Sequence, residues 1–238
     1  MKRSTSLTNL PPYRVRENPR ARRIILKVVP RVGLTVTVPK GFDRSRLPEL
    51  LRMRQEWIDK ALRDMEARGK GPQTPVLPDA VDLAAVERTV SVSYETGSSR
   101  TEWRDDSDSV VFATPDSSVF DRLMLLEDWL KARGRRHLVP WCRELAAQFG
   151  VYPKKYQIRL QKSRWGSCSM KGTLSLNAKL LLIPRPAARY VLLHELCHIV
   201  HPNHSPRFWN LLQQWEPEAQ KLDRYIDSCW RDLPAWLP

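Results

Sequence analysis

The segment His194-Glu195-Leu196-Cys197-His198 contains two imidazoles and a carboxylate at a spacing that suits metal chemistry. On a helix, residues four apart lie on one face, with Cβ atoms about 5–6 Å from each other. His194 and His198 can therefore bind one Zn²⁺ at about 2.0–2.1 Å, the usual distance for imidazole nitrogens. Glu195 lies at the edge of the same face, where its carboxylate can act as general base on zinc-activated water. The pattern predicts a zinc-dependent hydrolase.

A catalytic zinc site of this kind needs a third protein ligand, and three residues are candidates. His204 lies six residues after His198, beyond a turn at Pro202. Its position matches the last histidine of the HExxHxxGxxH pattern, although His201 stands where that pattern has glycine. Glu218 lies twenty residues after His198, a spacing found where the ligand comes from a following helix. The spacing favours His204, leaves Glu218 open, and places His201 one turn too far along the helix.

A second polar segment, residues 164–169, precedes the metal motif in the chain. If it forms a strand beside the active-site helix, an extended peptide can add to it, and Gly166 permits close approach of the backbone. We therefore consider Arg164, Gly166 and Ser167 as substrate-binding residues. The alternative is that Trp165 packs in the core, Gly166 forms a bulge and the polar side chains hydrogen-bond locally. Asn177 has the same two interpretations, support of the site or turn formation at a strand end.

Four blocks of sequence, residues 162–169, 176–177, 194–198 and 203–209, occur in a characteristic order and spacing. In this arrangement the chain resembles the YgjP-like metallopeptidase family, which is related to the SprT and WLM zincins. The resemblance covers most of the chain and implies that His194, His198 and His204 are the metal ligands and Glu195 the catalytic base. The departures from the family pattern do not affect these four positions.

Apolar periodicity and turn residues predict the elements that must position these side chains. A hairpin is expected over residues 23–38 and a helix over 45–68, followed by a linker at 69–80. Strands are expected at 90–94 and 110–112, and a helix over 119–149 that Gly134 and Pro140 kink or divide. Two further strands (156–162 and 173–177) and two helices (184–198 and 205–215) complete the prediction.

These elements indicate an α+β fold. We expect a zincin-like C-terminal catalytic region, in which the HExxH helix lies beside an antiparallel sheet, preceded by a smaller β-rich N-terminal region. The predicted divisions are a flexible basic arm at residues 1–20, a β-rich region with one helix at 21–115, and a zincin-like metallopeptidase region at 116–238.

Charge is distributed unevenly along the chain. The net charge is +14, and residues 1–54 contain 14 basic and 3 acidic side chains. Residues 79–128 contain 12 acidic and 4 basic side chains, whereas residues 129–170 contain 10 basic and 1 acidic. Basic stretches of this size attract nucleic acids and other polyanions, unless they neutralise the acidic stretch within the fold. The sequence shows no zinc-finger, homeodomain or RRM pattern, so specific reading of bases has no visible basis.

The composition is that of a globular protein, with 42% apolar and 28% charged residues. The chain has neither a run of about 18 to 20 apolar residues for a membrane span nor the apolar core of a signal peptide. We therefore expect a cytoplasmic protein without membrane contact. Its cysteines (Cys142, Cys168, Cys197 and Cys229) are widely spaced, and the simplest interpretation is four free thiols. A cysteine nucleophile at Cys168 or Cys197 is a weaker alternative.

Three functions follow from these observations. The leading hypothesis is a zinc metallopeptidase acting on a polypeptide substrate. A second is a metal-dependent hydrolase of nucleotide phosphoanhydrides, because metal-activated water is not selective for carbonyls and a basic surface suits phosphates. A third is a nucleic-acid-associated protein with a structural metal site, for which salt-sensitive DNA binding would be the signature.

Overall fold

The computed structural model describes residues 10–19, 21–29, 32–68, 76–115 and 118–237. The chain forms two compact units, residues 1–76 and 77–238. Each unit has its own apolar core.

The first unit contains a three-stranded sheet and two helices. Its strands and helices are β1 (Tyr13–Glu17), β2 (Ile25–Val29), β3 (Gly33–Val38), α1 (Leu47–Arg52) and α2 (Gln55–Ala67), with a 3-10 turn at Arg44–Arg46. Strand β3 is central, antiparallel to β2 and parallel to β1. The predicted hairpin of β2 and β3 is confirmed, apart from residues 30–31 of its turn, which lie outside the described residues.

Two predictions for the first unit need correction. Residues 13–17 of the predicted flexible arm form strand β1, because Tyr13 and Val15 pack on the core through their alternating apolar side chains. Residues 1–9 and 20 of that arm lie outside the described residues. The single helix expected over 45–68 is two helices, with a break at Met53 and Arg54. Of the linker expected at 69–80, residues 69–75 also lie outside the described residues.

The second unit begins with a four-stranded sheet. Its strands are β4 (Ala80–Leu83), β5 (Arg88–Thr96), β6 (Glu102–Asp105) and β7 (Ser109–Thr114), in the order β4-β5-β7-β6. A 3-10 turn at Ala84–Val86 joins the first two strands. Strands β5 and β7 were predicted, but they pair in parallel because β6 intervenes and pairs antiparallel with β7. Strand β6 has a single apolar side chain, Trp103, which gives no alternating pattern to detect.

A long helix, α3 (Val119–Gln148), packs this sheet against the rest of the unit. The helix is continuous, so Gly134 and Pro140 do not divide it. Gly134 serves a packing role instead: a Cβ at this position would lie 2.9 Å from Cγ2 of Ile158 and 3.4 Å from Cβ of Ala178. The glycine therefore allows α3 to approach the second sheet closely.

The second sheet and the C-terminal helices form the rest of the unit. These elements are β8 (Lys155–Arg159), β9 (Gly166–Cys168), β10 (Thr173–Asn177), α4 (Arg185–Val200), α5 (Pro206–Trp215) and α6 (Ala219–Ile226), with 3-10 turns at Ala178–Leu182 and Ser228–Trp230. Strand β10 is central, and β9 is an edge strand. Helix α6 was not predicted.

The fold is a mixed α/β arrangement with small mixed sheets. The sheet beside the HExxH helix was expected to be antiparallel, but only β9 runs antiparallel to β10, whereas β8 runs parallel to it.

The compact units also differ from the predicted division at residue 115, because the β4–β7 sheet shares a core with α3, with Phe112 packed edge-on to Trp129. The metallopeptidase role of residues 116–238 stays a prediction. None of the helices in the described part of the chain has the length and apolar composition to cross a membrane.

Candidate metal centre

Helix α4 places His194 and His198 on one face. Its central residues are buried, Leu192, Leu193 and Leu196 among them, so apolar packing fixes the helix in the core. The helix ends at His201, whose backbone N–H donates to the carbonyl of Cys197 at 2.8 Å. The chain then turns back, and α5 begins at Pro206.

This turn brings His204 to the two helical histidines. One ring nitrogen from each of His194, His198 and His204 lies within 4.8 Å of the others. Nε2 of His204 lies 3.0 Å from Nε2 of His194. The fully buried ring of Phe208 packs against all three imidazoles, with centroid distances of 4.9, 4.7 and 4.8 Å. Phe208 therefore forms an apolar floor that holds the three rings together.

Hydrogen bonds fix the ring tautomers of the two helical histidines. The hydroxyl of Tyr190 donates to Oδ1 of Asp223 at 2.6 Å, so its oxygen is left to accept from Nδ1–H of His194 at 3.3 Å. Nδ1 of His198 lies 3.1 Å from the carbonyl oxygen of His201, which can only accept. In both rings the proton is therefore on Nδ1, and the lone pair of Nε2 remains for a metal.

The sequence analysis did not identify Tyr190 or Asp223. Tyr190 precedes His194 by four residues, and this spacing on a helix could have indicated a contact. Asp223 gives no such signal, because it lies on α6 and reaches the site only through the tertiary fold.

Burial keeps the imidazoles of His194 and His198 neutral. It lowers the pKa of His194 to about 3, with smaller contributions from the neighbouring His198 and His204. Burial also lowers the pKa of His198, partly opposed by its hydrogen bond to the carbonyl of His201. Neutral imidazole is the form that binds metals, so these two histidines could bind a metal at neutral pH without losing a proton.

Glu195 is enclosed beside the histidines. It is only 6% exposed, and its Oε2 has no hydrogen-bond partner among the residues that the structure describes. Burial raises its pKa to about 8, and the positive charge of Arg164 acts in the opposite direction. A buried carboxyl oxygen without a partner is costly, which indicates a group held for a ligand or a reaction.

Gly166 on β9 makes room for this carboxyl group. A Cβ at Gly166 would lie 2.6 Å from both Cγ and Oε1 of Glu195. No side chain fits in that space, so the glycine lets the edge strand approach the helix directly over the carboxylate. The sequence predicted that Gly166 lets the backbone of a substrate peptide approach, and this stays a prediction. The contact that the structure shows at Gly166 is with Glu195.

The other residues of this segment have different roles. Trp165 is buried and packs on Trp230, with ring centroids 4.2 Å apart, which confirms the core interpretation. Arg164 is exposed, and Ser167 lies half-buried on β9 opposite Ser175. Asn177 donates from Nδ2 to the carbonyls of Gln161 and Arg164, and its Oδ1 accepts from the backbone N–H of Lys179. Asn177 thus fixes the loop that leads into β9 and caps the turn that follows β10. It combines the two roles that the sequence suggested.

The competing ligand and nucleophile candidates do not join the cluster. Glu218 lies at the start of α6 and pairs with Lys221 at 2.9 Å. His201 contributes only its carbonyl to His198. Burial raises the pKa of the Cys197 thiol to about 12 and also raises that of Cys168, so neither thiol is activated as a nucleophile. All four cysteines are free, as expected.

The three histidines fit a tetrahedral zinc site. Ligands each about 2.0–2.1 Å from such an ion lie about 3.3 Å apart, and ring nitrogens 3.0 Å apart or within 4.8 Å of one another need little movement to reach this spacing. The donors are imidazoles, and Nδ1 is hydrogen-bonded in two of the three rings, as is usual for metal-binding histidines. Three protein ligands with an enclosed carboxylate alongside resemble catalytic sites rather than closed structural ones.

Comparison with known proteins shows the family of the chain. The model of the YgjP-like family, described as a metallopeptidase domain, matches residues 22–228. The chain belongs to the YgjP-like metallopeptidase family. This membership makes it a peptidase-type hydrolase that depends on a metal. The match covers α4, the turn that contains His204, and α5.

No curated protein matches the chain significantly. The solved structures with a limited similarity include the metallopeptidase zymogens abylysin from Pyrococcus abyssi and jannalysin from Methanocaldococcus jannaschii, with 26% and 24% identity. Each alignment covers 37% of this chain and 90% of the other, with a TM-score of 0.33. A TM-score of this size does not establish a common fold.

Proposed function

We propose that this chain is a zinc metallopeptidase in which His194, His198 and His204 hold the metal and Glu195 is the general base. The observation that carries the proposal is the convergence of three imidazole nitrogens within 4.8 Å beside a buried carboxyl oxygen. In the described part of the chain this oxygen has no hydrogen-bond partner. The donor set favours zinc, because three imidazoles suit this ion better than magnesium or calcium, which prefer oxygen ligands.

When bound, zinc would supply a Lewis acid that acidifies water and polarises a carbonyl group. Glu195 would take the proton from the attacking water and later deliver it to the leaving amine. Its enclosure beside the histidines suits both steps, because the carboxyl group is held where it can accept a proton and give it back. Gly166 and the packing of α4 keep the carboxylate in place.

The edge strand β9 would bind the substrate. One side of β9 pairs with β10, and its other side has no partner strand among the described residues. An extended peptide can add to such an edge through backbone hydrogen bonds, which would bring its carbonyl groups past Glu195. Arg164 and Ser167, on either side of Gly166, are the side chains that we propose to orient the substrate.

The test is a hydrolysis panel with zinc-loaded wild type and Glu195→Gln. The panel contains an unfolded polypeptide, such as reduced casein, and nucleoside triphosphates. We expect the wild type to cleave the polypeptide, and Glu195→Gln to retain zinc and lose at least about 100-fold in kcat, the lower range for loss of a general base. Cleavage of nucleotides without cleavage of polypeptide would transfer the function to phosphoanhydride hydrolysis. Equal activity of the two proteins would exclude Glu195 as the base.

A further inference from the structure

A cavity of about 270 Å³ adjoins the histidine cluster. His198 and Ile199 of α4 form one wall, and Pro202 after the helix continues it. The opposite wall is the turn between β9 and β10, residues 169–172, together with residues just before β8. The cavity thus lies where a peptide extended along β9 would continue beyond the metal site.

The charged groups of this cavity are all positive. Lys154 and Lys171 line it, and no carboxylate does. Neither lysine has an acidic partner among the described residues. The surrounding sequence also has only positive formal charge, because residues 145–194 contain nine Lys and Arg and no Asp or Glu. Two unpaired ammonium groups beside a catalytic site attract an anionic group of the substrate.

Both lysines are held by the fold at their backbones. The turn carrying Lys171 is closed by the N–H of Gly172 donating to the carbonyl of Ser169 at 2.8 Å, and by the N–H of Thr173 donating to Oγ of Ser169 at 3.0 Å. The N–H of Lys154 donates to the carbonyl of Gly172 at 2.8 Å. The stem of Lys154 lies over Gly172, where a Cβ would be 3.3 Å from Cγ of the lysine. Hydrogen bonds therefore fix the backbone on which both lysines stand at the rim of the cavity.

The rest of the lining suits the stem of an amino acid. Tyr152 and Met170 are 75% and 99% exposed, so they present apolar surface at the mouth of the cavity. An acidic side chain has an apolar stem and a charged end. It can contact these two residues with its stem while its carboxylate reaches the lysines.

We propose that this cavity is a specificity subsite that selects polypeptide substrates with an aspartate or glutamate close to the bond that is cut. This subsite rests on the proposed peptidase function, since it assumes that a peptide lies along β9. It goes beyond that function in assigning the substrate class and in naming Lys154 and Lys171 as the residues that determine it. They bind substrate side chains and take no part in the chemistry.

The first experiment maps cleavage sites in a proteome-derived peptide library by mass spectrometry. We expect Asp and Glu to be enriched at one position relative to the cut. In Lys154→Gln and Lys171→Gln the preference for Glu over Gln at this position should fall about threefold each, and about tenfold in the double variant, as is usual for partly exposed ion pairs. The double variant Lys154→Glu/Lys171→Glu should prefer Lys at the same position. Lys155→Gln, an exposed lysine on β8 that does not line the cavity, is the matched control and should keep the wild-type preference.

The second experiment measures binding alone and so separates the subsite from the peptidase function. Two fluorescent peptides, with either Glu or Gln at the selected position and otherwise identical, are titrated with the Glu195→Gln variant. Fluorescence anisotropy gives the Kd of each peptide. The Glu peptide should bind about tenfold more tightly at low salt, with the difference shrinking at high ionic strength.

Equal binding of the two peptides, or a preference that survives in the double Gln variant, would overturn the subsite even if the enzyme is an active peptidase. Tight binding of tripolyphosphate without discrimination between the peptides would do the same. A clear preference in an enzyme that cleaves no peptide would contradict the proposed function and leave the anionic subsite standing.

Discussion

Whether the histidines can bind a metal depends on the residues that hydrogen-bond to their rings as well as on the histidines themselves. A histidine can bind a metal through either ring nitrogen, and the partner of the other nitrogen selects which one. Tyr190 with Asp223 makes this selection for His194, and the carbonyl of His201 makes it for His198. The motif and its third histidine could be predicted from spacing, because they depend on helix geometry and one short turn. The Tyr190–Asp223 pair could not, because its partners lie on helices far apart in sequence.

Loss of the Tyr190 hydroxyl should weaken metal binding. Tyr190→Phe removes the acceptor of the His194 Nδ1–H and frees the ring to adopt the other tautomer, so the Kd for zinc should rise about tenfold, the lower end for outer-shell partners of metal ligands. Competition against a chromogenic chelator measures this Kd. The matched control is Tyr225→Phe, an exposed tyrosine on α6, which should bind zinc like the wild type. An unchanged Kd in Tyr190→Phe would contradict the role of this hydroxyl.

Addition of one methyl group at Gly166 should damage catalysis more than folding. The Cβ of Gly166→Ala would overlap the Glu195 carboxyl group at 2.6 Å, and displacement of a catalytic group by about 1 Å can cost about 100-fold in rate. We expect kcat to fall by about this factor, with zinc content retained. Ser163→Ala, at an exposed site in the same segment, is the control. Wild-type kcat in Gly166→Ala would show that the carboxylate position is not critical.

At the scale of elements, close packing at glycines positions the site. Gly166 brings β9 onto α4, and Gly134 brings α3 against β8 and the 3-10 turn at Ala178–Leu182. The sequence predicted the main helices and the strands β8 and β10, because their apolar patterns are strong. It did not predict the mixed direction of the sheet, since strand direction depends on connections that periodicity does not encode. The sequence also predicted that Gly134 and Pro140 kink or divide α3. The division does not occur, because tertiary contacts override helix propensity at Gly134.

Gly134→Ala should therefore destabilise the protein, although alanine favours isolated helices by about 1 kcal/mol over glycine. The new Cβ would lie 2.9 Å from Cγ2 of Ile158, and overpacking of a core costs about 1–3 kcal/mol, so we expect a net loss of about 1 kcal/mol. Urea denaturation measures this free energy of unfolding. Adding Ile158→Leu, which removes the Cγ2 methyl group, should recover part of the loss. A more stable Gly134→Ala protein would contradict this expectation, because it would show that Ile158 can move away from the added Cβ at little cost.

At the scale of the whole molecule, each unit has its own core, and the candidate site lies entirely in residues 77–238. The linker predicted at residues 69–80 spans this division. The boundary that the sequence placed near residue 115 does not separate compact units, because the shared core of β7 and α3 forms only on folding. Charge also acts at this scale. The net charge of +14 makes contact with nucleic acids or other polyanions a proposal that salt-dependent binding tests directly.

Metal should stabilise the unit that contains the site. Binding to the folded state alone contributes about 4 kcal/mol at a zinc concentration 1,000 times the Kd, so the chelated protein should unfold at lower temperature. Hydrogen exchange of α4 and α5 should slow on addition of zinc, because the metal joins residues of α4 to the turn before α5. His204→Ala should reduce this protection strongly. Equal protection in that variant would show that the metal does not link these helices through His204.

The central claim is that three histidines, with Glu195 beside them, hold one catalytic zinc. Elemental analysis of zinc-loaded protein after dialysis tests it most directly, with wild type, His204→Ala and Glu218→Ala compared side by side. The three-histidine site predicts one zinc per chain in the wild type and in Glu218→Ala, and a large loss of zinc in His204→Ala. Wild-type protein without zinc, or loss of zinc in Glu218→Ala but not in His204→Ala, would contradict it.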